Sequence, residues 1–474
     1  MVKKSIPKKS DDIADWYTKV ILAADLADYG PAKGTMIFKP YGYAIWEQVR
    51  AAMDPLIKAK GVENAYFPLL IPTALLEREK AHVEGFSPEL AVVTHGGGEK
   101  LAESLAVRPT SETIMYEAYA RWIQSWRDLP MQINQWNNVV RWEKRTYLFM
   151  RTSEFLWQEG HTAHASHEEA QAMQRWAMEM YTQIYRDHFA LFGYAGYKSQ
   201  TERFAGADSS MTYEMLMPSG KSLQAATSHD LGQNFAKPFG IKFQTKGGGE
   251  DYVWQTSWGL STRSIGAVIL AHGDDNGLRL PPKLAPVQAV ILPVQPIPQL
   301  LKYADELAKQ LADGGVRVQV DATDDETIGY RINKWELKGA PLRLEVGERE
   351  VAAKQVTVAR RDTGDKSVTP VAKLNAEVAR LLEAIQANLL KESQEFTEAN
   401  TRSAKDLADF KKIMKGHKGF IRVPWNDDPK VEEEIQKATK ATSSCQPLDS
   451  SPIKGKDFYT GKDATIEWLF AQAY

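Results

Sequence analysis

The first regular pattern of apolar positions runs from residue 41 to residue 60, at the spacing of one helix face. Its members are Tyr43, Ile45, Trp46, Val49, Met53 and Ile57. Gly61 follows, so we expect the helix to end there. Residues 63–71 then predict a strand, and Pro68 within it removes a hydrogen-bond donor. Such a strand belongs at a sheet edge or at a bulge.

Helices and strands are interspersed between residues 111 and 271. The pattern predicts helices over 111–126, 167–192 and 261–271 and strands over 131–142, 152–161 and 251–259. Ser166 followed by Glu169 has the spacing of a capping box, and Gly193 is expected to end the long helix. This order indicates a mixed, mainly antiparallel sheet surrounded by helices, an α+β fold.

After a proline-rich linker at 281–286, the pattern changes to alternating strands and helices. It predicts strands over 287–294 and 316–320, helices over 298–312 and 327–336, and then two more strands and a helix near 370–390. This is an α/β unit. From Ala399 the chain becomes lysine-rich and less apolar. We therefore predict three domains, at 1–284, 285–398 and 399–474, because 474 residues are too many for one core.

Composition narrows the class of protein. Charged residues make up 25% and apolar residues 43% of the chain, as in ordinary globular proteins. There is no long apolar run and no secretory signal in the basic, polar start, so we expect no membrane partner. Cys445 is the single cysteine, which excludes an internal disulfide and fits a cytoplasmic protein. The net charge is −2, so a nucleic-acid partner would have to use a local basic patch.

Two of the predicted strands carry the candidate chemistry. Arg141 and Glu143 lie two positions apart in the first, so their side chains point to the same side. Arg151 lies beyond a short basic loop, and Phe155 follows in the second strand. An arginine grips a phosphate through two parallel hydrogen bonds, and a phenylalanine ring offers a face for a purine. This pattern fits an ATP molecule lying on an antiparallel sheet.

The arrangement resembles motif 2 of the class II aminoacyl-tRNA synthetases, which reads Arg-x-Glu, a variable loop and a Phe. Four sequence words resemble the prolyl-tRNA synthetase family in its archaeal/eukaryote-like form: residues 108–112 (RPTSE), 155–161 (FLWQEGH), 227–235 (TSHDLGQNF) and 258–263 (WGLSTR). The resemblance implies an α+β class II catalytic domain, an α/β anticodon-binding domain and a small α/β C-terminal domain. The implied reaction attaches proline to tRNA(Pro), through ATP-dependent formation of prolyl-adenylate and transfer to the tRNA 3′ end.

By this resemblance, three arginines carry the catalysis. Arg141 contacts the α-phosphate and the amino acid carboxylate, Arg151 the γ-phosphate, and Arg263 the far end of the triphosphate. No protein nucleophile is needed, because the enzyme supplies positioning and charge. The implied ATP site consists of Arg141, Glu143, Arg151, Thr152, Phe155, Gln224, Thr227, Ser261 and Arg263. Mg²⁺ is expected with ATP, held mainly by phosphate oxygens.

The resemblance also implies a proline site with an apolar body and a polar rim. Its members are Thr110, Glu112, Arg141, Trp157, Glu159, His161, Phe204, His229, Ser257 and Gly259. Glu112 can balance a secondary ammonium, although an acidic residue is also favoured in the first turn of any helix. Trp157 and Phe204 would be ordinary core residues without the resemblance.

Two further partners follow from the resemblance. Glu336 and Arg343 match positions that read guanines of the proline anticodon, and arginine pairs well with guanine O6 and N7. The helix and proline-bearing strand between residues 41 and 71 match motif 1, which usually forms a homodimer interface. The expected partners are therefore proline, ATP, tRNA(Pro) and a second copy of the chain.

The chain departs from the family in its C-terminal domain. Many relatives carry a zinc site of four cysteines there, whereas this chain has Cys445 alone. We expect no zinc and no other resident metal. We expect packing of aromatic and apolar residues to hold the domain together instead, by Phe458, Tyr459, Trp468, Leu469 and Phe470. Residues 162–256 are too few for the editing domain that the other bacterial form inserts between motifs 2 and 3.

Two alternative functions stay open on the sequence alone. A class II synthetase for threonine, glycine or serine would share the motif arginines but differ in the pocket words, and a threonine enzyme would need a cysteine among its zinc ligands. A non-catalytic paralogue that binds RNA or regulates another enzyme would typically have lost the motif arginines. All three are present here.

Overall fold

The structure is a computed structural model that describes residues 6–82, 90–416 and 418–474. The helices of its first part are α1 (Ile13–Ala23), α2 (Pro40–Ala59), α3 (Thr73–His82), α4 (Glu112–Trp122), α5 (His167–Asp187), α6 (Ala236–Phe239) and α7 (Arg263–His272). The strands are β1 (Ala27–Tyr29), β2 (Met36–Phe38), β3 (Glu63–Asn64), β4 (Leu70–Pro72), β5 (Ala91–Gly96), β6 (Glu99–Val107), β7 (Met131–Val140), β8 (Glu154–His164), β9 (Tyr194–Tyr197), β10 (Ser209–Leu216), β11 (Lys221–Gly232), β12 (Lys242–Gln244), β13 (Glu250–Tyr252) and β14 (Trp254–Ser261).

The central sheet of this part has the strand order β9, β10, β11, β14, β8, β7 and β3. Its pairs are antiparallel except for β3 with β7. Trp157 of β8 lies opposite Asn137 of β7 on one side and opposite Ser261 of β14 on the other. Residues directly opposite each other share a face of the sheet. The two arginine-bearing segments and the 258–263 word therefore meet on one sheet, as the α+β prediction requires.

Several elements differ in their bounds from the sequence predictions, and two of these differences have a clear cause in the backbone. The strand predicted over 63–71 is interrupted, because Pro68 has no amide hydrogen and lies between the end of β3 and the start of β4. Helix α5 starts as predicted, with the Ser166 hydroxyl accepting a hydrogen bond from the Glu169 amide at 3.3 Å. It ends at Asp187 rather than near residue 192. Ala190 adopts a left-handed φ of 52°, which a right-handed helix cannot continue.

The main core lies between one face of the sheet and helices α2, α5 and α7. Tyr181 and Tyr185 of α5 are fully buried and donate hydrogen bonds to the Gln158 side chain and the Ala225 carbonyl. Trp258 covers Gly160 so closely that a Cβ there would lie 2.1 Å from its ring. Because side chains alternate along a strand, Trp157, Glu159 and His161 point to the opposite face. That face carries the cavity described below.

The second part is an α/β unit around a five-stranded sheet in the order β16, β15, β17, β18 and β19. Its elements are β15 (Ala289–Pro293), α8 (Pro298–Asp313), β16 (Val318–Val320), α9 (Ile328–Lys338), β17 (Leu342–Val346), α10 (Glu348–Ala352), β18 (Gln355–Arg360), β19 (Lys366–Pro370) and α11 (Leu374–Ala399). Three strands follow α9 where two were predicted, because β18 and β19 form a hairpin whose turn carries Gly364 at a φ of 77°. No helix in the described ranges is both long and apolar enough to cross a bilayer.

The C-terminal part has its own aromatic core. Its elements are β20 (Thr401–Ser403), α12 (Leu407–Gly416), β21 (Phe420–Pro424), α13 (Pro429–Thr439), β22 (Ala441–Pro447), β23 (Gly455–Lys456), β24 (Asp463–Ala464) and β25 (Glu467–Ala473). Phe458, Trp468 and Phe470 pack with Phe410 and Trp425 in this core, and Tyr459 is partly buried against it. Leu469 is fully buried in a neighbouring cluster. The prediction that aromatic and apolar residues pack in this part is thus confirmed, with Leu469 in a different cluster from the other four.

The C-terminal strands extend the central sheet. β22 pairs with β9, and β25 runs parallel to the start of β11. The complete sheet has eleven strands in the order β20, β21, β25, β22, β9, β10, β11, β14, β8, β7 and β3. Gly196 permits the close approach of β22, because a Cβ there would lie 2.3 Å from the Gln446 carbonyl oxygen and 2.8 Å from Cβ of Cys445.

Replacing this glycine tests the junction. Gly196→Ala should lower the stability by about 1–3 kcal/mol, because backbone and a buried side chain must move to admit the methyl group. Gly329→Ala is the matched control, since a Cβ at this helical glycine meets nothing within 4 Å. Thermal unfolding followed by tryptophan fluorescence should show a lower midpoint for the first variant alone. Equal midpoints would contradict the close packing.

Candidate active site

The open face of the central sheet carries a cavity of about 290 Å³. It is built mainly by β8, β10, β11 and β14, with the residues before α4 and after β7 at its rim. Its lining includes many of the predicted site residues: Thr110, Glu112, Arg141, Phe155, Trp157, Glu159, His161, Phe204, Gln224, Thr227, His229, Ser257, Gly259, Ser261 and Arg263. Residues distant in the sequence are therefore brought to one cavity.

Arg141 projects into this cavity immediately after β7. Its guanidinium lies 5.6 Å from the ring centre of Phe155 and 5.5 Å from that of Trp157. Its Nε donates a hydrogen bond to the Pro109 carbonyl at 3.0 Å, which leaves the terminal nitrogens for a ligand. Solvent reaches the residue through the cavity mouth, yet protein surrounds the guanidinium and burial lowers its pKa. Arg141 is thus held in place as a hydrogen-bond donor to an anionic ligand.

Two more arginines contribute positive charge nearby. Arg263 begins α7 and donates a hydrogen bond from Nε to the Met150 carbonyl at 3.1 Å. Burial lowers the pKa of Arg263, and the charges of Arg141 and Arg151 lower it further. Arg151 is largely exposed and pairs with Glu143 at 2.8 Å. A polyanion that bridges these guanidinium groups would relieve their repulsion.

The Glu159 carboxylate is the centre of a buried hydrogen-bond network. It accepts hydrogen bonds from Ser111 Oγ (2.5 Å), Asn137 Nδ2 (2.8 Å), His161 Nε2 (3.0 Å) and Gln135 Nε2 (3.1 Å). Burial opposes charging of His161, but the hydrogen bond to Glu159 and the nearby carboxylates raise its pKa. The network therefore orients His161, and Glu159 itself also lines the cavity.

Another part of the cavity wall is formed by a stacked pair of rings. The rings of Phe204 and His229 lie 4.7 Å apart with an interplanar angle of 29°. The Ser210 hydroxyl accepts a hydrogen bond from the Phe204 amide at 3.0 Å and lies 2.8 Å from Nδ1 of His229. Burial lowers the pKa of His229 to about 3, so its ring is neutral. In this contact either Nδ1 of His229 or the Ser210 hydroxyl can be the donor, depending on the tautomer of the ring.

Polar atoms without partners indicate where a ligand would bind. Within the described part of the chain, Ser257 Oγ and Trp157 Nε1 are buried and have no hydrogen-bond partner. Both residues line the cavity. An unsatisfied buried polar group costs about 1–3 kcal/mol, so a ligand that paired with them would recover that free energy. Thr110 donates to Glu112, which leaves one oxygen of that carboxylate available.

Three residues predicted for the ATP site are not in the cavity wall. Arg151 and Glu143 pair with each other beside it, and the buried Thr152 hydroxyl donates to the Glu154 carbonyl at 2.6 Å. Glu336 and Arg343 lie in the second part of the chain, where they form a 2.9 Å ion pair, and Arg343 also binds Glu345. The structure thus has two separate groups of predicted functional residues.

Sequence reasoning missed seven residues of the cavity wall, and three of them carry charged or hydroxyl side chains, namely Lys198, Glu202 and Ser210. Lys198 is almost fully buried and pairs with Glu214 at 2.9 Å. Burial raises the pKa of Glu202. These residues belong to an irregular segment and an ordinary strand, so neither a periodic pattern nor a motif distinguishes them.

One group of side chains has the composition of a metal site. His167, Asp208 and Asp230 bring ligand atoms within 4.8 Å of one another. Protein groups already use them, because His167 Nε2 lies 2.7 Å from Asp230 and the Asn234 amide donates to Asp208 at 2.8 Å. The absence of a resident metal stays a prediction.

Three segments of the chain match known protein families. Residues 95–272 match the family described as tRNA synthetase class II core domain (G, H, P, S and T). Residues 288–381 match the anticodon binding domain. Residues 407–474 match the C-terminal domain of prolyl-tRNA synthetase.

Similar proteins extend over the full length of the chain. A proline–tRNA ligase of Cytophaga hutchinsonii is 46% identical over 491 residues and all of both chains. A ligase of the same name from Frankia alni is 52% identical over 89% of this chain and 90% of its own. The crystal structure of prolyl-tRNA synthetase from Cryptosporidium parvum complexed with halofuginone and AMPPNP is 41% identical, covers both chains completely and superimposes with a TM-score of 0.96. The chain belongs to the prolyl-tRNA synthetase family of the class II aminoacyl-tRNA synthetases.

Proposed function

We propose that this chain activates proline with ATP and transfers it to tRNA(Pro), with the cavity on the central sheet as the site of both steps. The proposal is based mainly on the position of two arginines, Arg141 and Arg263, which are held by hydrogen bonds to backbone carbonyls. Both line the same cavity as His161, which Glu159 holds by a hydrogen bond. Proline–tRNA ligases match the whole chain at about 46% identity, which supports the same reaction.

The first step needs two anions held together. A carboxylate oxygen of proline bonds to the α-phosphorus of ATP, the bond to the bridging oxygen breaks, and pyrophosphate leaves with the electron pair. Arg141 binds both the carboxylate and the α-phosphate, so it acts where negative charge accumulates. Arg151 and Arg263 bind the rest of the triphosphate. The adenine stacks on Phe155, with Glu143 and Thr152 beside it and with Gln224, Thr227 and Ser261 around the nucleotide.

Mg²⁺ accompanies ATP in this proposal and neutralises part of the triphosphate charge when bound. The carboxylate on this side of the cavity, Glu143, already pairs with Arg151 at 2.8 Å. Cationic groups therefore surround the nucleotide site, which fits a metal ion held mainly by phosphate oxygens. We propose no zinc, because aromatic packing around Phe410 and Phe470 forms the C-terminal core.

The proline ring lies between Trp157 and the Phe204–His229 wall. Glu112, hydrogen-bonded to Thr110, balances the secondary ammonium, while Ser257 and Gly259 complete the floor. His161, oriented by Glu159, closes the end of the pocket. Placing the carboxylate at Arg141 then sets the amino acid in line with the α-phosphate, the arrangement that positioning catalysis requires.

The second step brings in the tRNA. A hydroxyl of its 3′-terminal ribose attacks the carbonyl carbon of the adenylate, and AMP leaves. Glu336 and Arg343 read the anticodon from the second domain, where Trp335 and Arg361 border a narrow crevice with them. We propose domain limits of 1–284, 285–398 and 399–474 and a cytoplasmic site of action, as expected for an enzyme of translation.

A homodimer completes the proposal. Large apolar side chains between residues 29 and 70 are exposed in the single chain: Tyr29, Ile37, Tyr43, Tyr66, Leu69 and Leu70. They belong to β1, β2, α2 and the segment around β4, which includes the stretch that resembles motif 1. Concentrated exposure of such residues marks an interaction surface, and a second copy is the partner that the family uses.

Removing the central arginine tests the catalytic assignment. Arg141→Ala should reduce proline-dependent ATP–pyrophosphate exchange by about 10²–10³-fold or more, the loss observed when one oxyanion donor is removed. Arg121→Ala removes an exposed arginine of α4, paired with Glu117 at 3.1 Å, and should exchange normally. Near-normal exchange by a folded Arg141→Ala enzyme would refute the assignment.

The anticodon assignment makes a different prediction. Arg343→Ala and Glu336→Ala should leave pyrophosphate exchange nearly unchanged and reduce tRNA charging, with a loss of about 1–3 kcal/mol for a base contact. Arg380→Ala is the control, because this exposed arginine of α11 pairs only with Glu377 on its own helix. An equal loss of exchange and charging would show that these residues act on the catalytic domain instead.

The dimer is tested by mass. Light scattering should give twice the chain mass of 53.2 kDa. Ile37→Asp should shift the mass toward that of one chain, because it places a charge in the proposed interface. Val368→Asp, at an equally exposed aliphatic position of β19, should leave the dimer intact. A monomeric parent protein at micromolar concentration would exclude the dimer.

A further inference from the structure

A turn between β9 and β10 connects the cavity with the C-terminal domain. Ser199 begins it, accepting a hydrogen bond at Oγ from the Glu202 amide (3.2 Å) and at its carbonyl from the Arg203 amide (3.0 Å). Phe204 follows directly and stacks on His229. Because the turn spans only residues 199–204, a shift of Ser199 is transmitted to the cavity wall.

The C-terminal domain holds this turn by buried hydrogen bonds. Glu432 of α13 accepts a hydrogen bond from Ser199 Oγ at 2.8 Å and another from the Ser443 amide at 2.9 Å. Ser443 Oγ donates to Ser199 Oγ at 2.9 Å. These three residues are at most 2% exposed. The carboxylate therefore ties one catalytic turn to two elements of another domain in a place that water does not reach.

Further contacts fix the ends of the same turn. The Gln200 amide donates to the Asp427 carboxylate, and the Gln200 side chain donates to the Asp427 carbonyl at 3.1 Å. Lys198, just before the turn, is anchored by its buried ion pair with Glu214. At Ser199, however, the buried charged group that accepts the hydrogen bond is Glu432 of the C-terminal domain. Catalytic-domain residues alone do not supply that acceptor.

We infer that Glu432 is a positioning residue for the amino acid pocket, acting through Ser199 to set the Phe204–His229 wall. The C-terminal domain then contributes to amino acid recognition by positioning the pocket wall, although none of its residues lines the described cavity. This inference rests on the proposed proline site, in which Phe204 and His229 contact the proline ring. It assigns no chemical step to Glu432.

Steady-state pyrophosphate exchange separates this role from a general effect on folding. Glu432→Ala should raise KM for proline about tenfold, which equals about 1.4 kcal/mol, because Ser199 loses its buried acceptor. KM for ATP and kcat per active site, counted by adenylate burst, should change little. Glu432→Gln keeps an acceptor for Ser443 and a polar partner for Ser199, so it should restore most of the proline affinity. Glu433→Ala, on the exposed face of α13, should match the parent enzyme.

The outcomes are distinguishable. A lower active fraction with an unchanged KM for proline would mean a purely structural role and would overturn the inference. If Glu432→Ala does not fold, Ser443→Ala removes one hydrogen bond of the network and should raise KM for proline in the same direction; no change would overturn the inference. Phe204→Ala is measured in parallel. If it leaves KM for proline unchanged, the proposed proline site fails as well, whereas a large effect at Phe204 with none at Glu432 overturns the inference alone.

Discussion

The buried carboxylate of Glu159 is the constraint on which the amino acid pocket depends. Side chains from the residue before α4, from β7 and from β8 converge on it as donors. Each of these donor groups would lose its acceptor if the carboxylate were absent, and the carboxylate would be a buried charge without them. The network therefore fixes the relative positions of three elements. With His161 oriented and Arg141 anchored on Pro109, the catalytic face requires little rearrangement before it binds a ligand.

Helices α2, α5 and α7 make this open face possible. They cover the other face of the same sheet with a dense aromatic core, so the largest core of the domain lies on the side that does no chemistry. Because successive side chains of β8 and β14 point to opposite faces, residues that pack in the core alternate with residues that line the cavity. Gly160 shows how strict the separation is, since it leaves room for Trp258 on the core side between two residues of the cavity side.

Much of the site was predictable from the sequence because its residues lie in short, regular strands with strong motifs. Trp157, Glu159 and His161 are an example, since their spacing alone puts them on one face. The role of Glu159 as a proline contact stays a prediction, whereas its four internal donors were not predicted, because they come from segments that no local pattern connects to it. The break in the strand at Pro68 and the early end of α5 at Asp187 depend on single backbone conformations. The role of Ser199 depends on a contact 233 positions away along the chain, which periodicity cannot reveal.

The eleven-stranded sheet has a consequence for the order in which the molecule can be assembled. β25 follows every other strand of the sheet in the chain, yet it lies between β21 and β22 and also borders β11. During synthesis the N-terminal segments emerge first and begin to fold. The edges of β21, β22 and β11 that pair with β25 nevertheless have no partner strand until residues 467–473 have been synthesised. The sheet is thus completed by an internal strand that is synthesised after all the others, so a ribosome-bound chain that lacks it has an incomplete catalytic sheet.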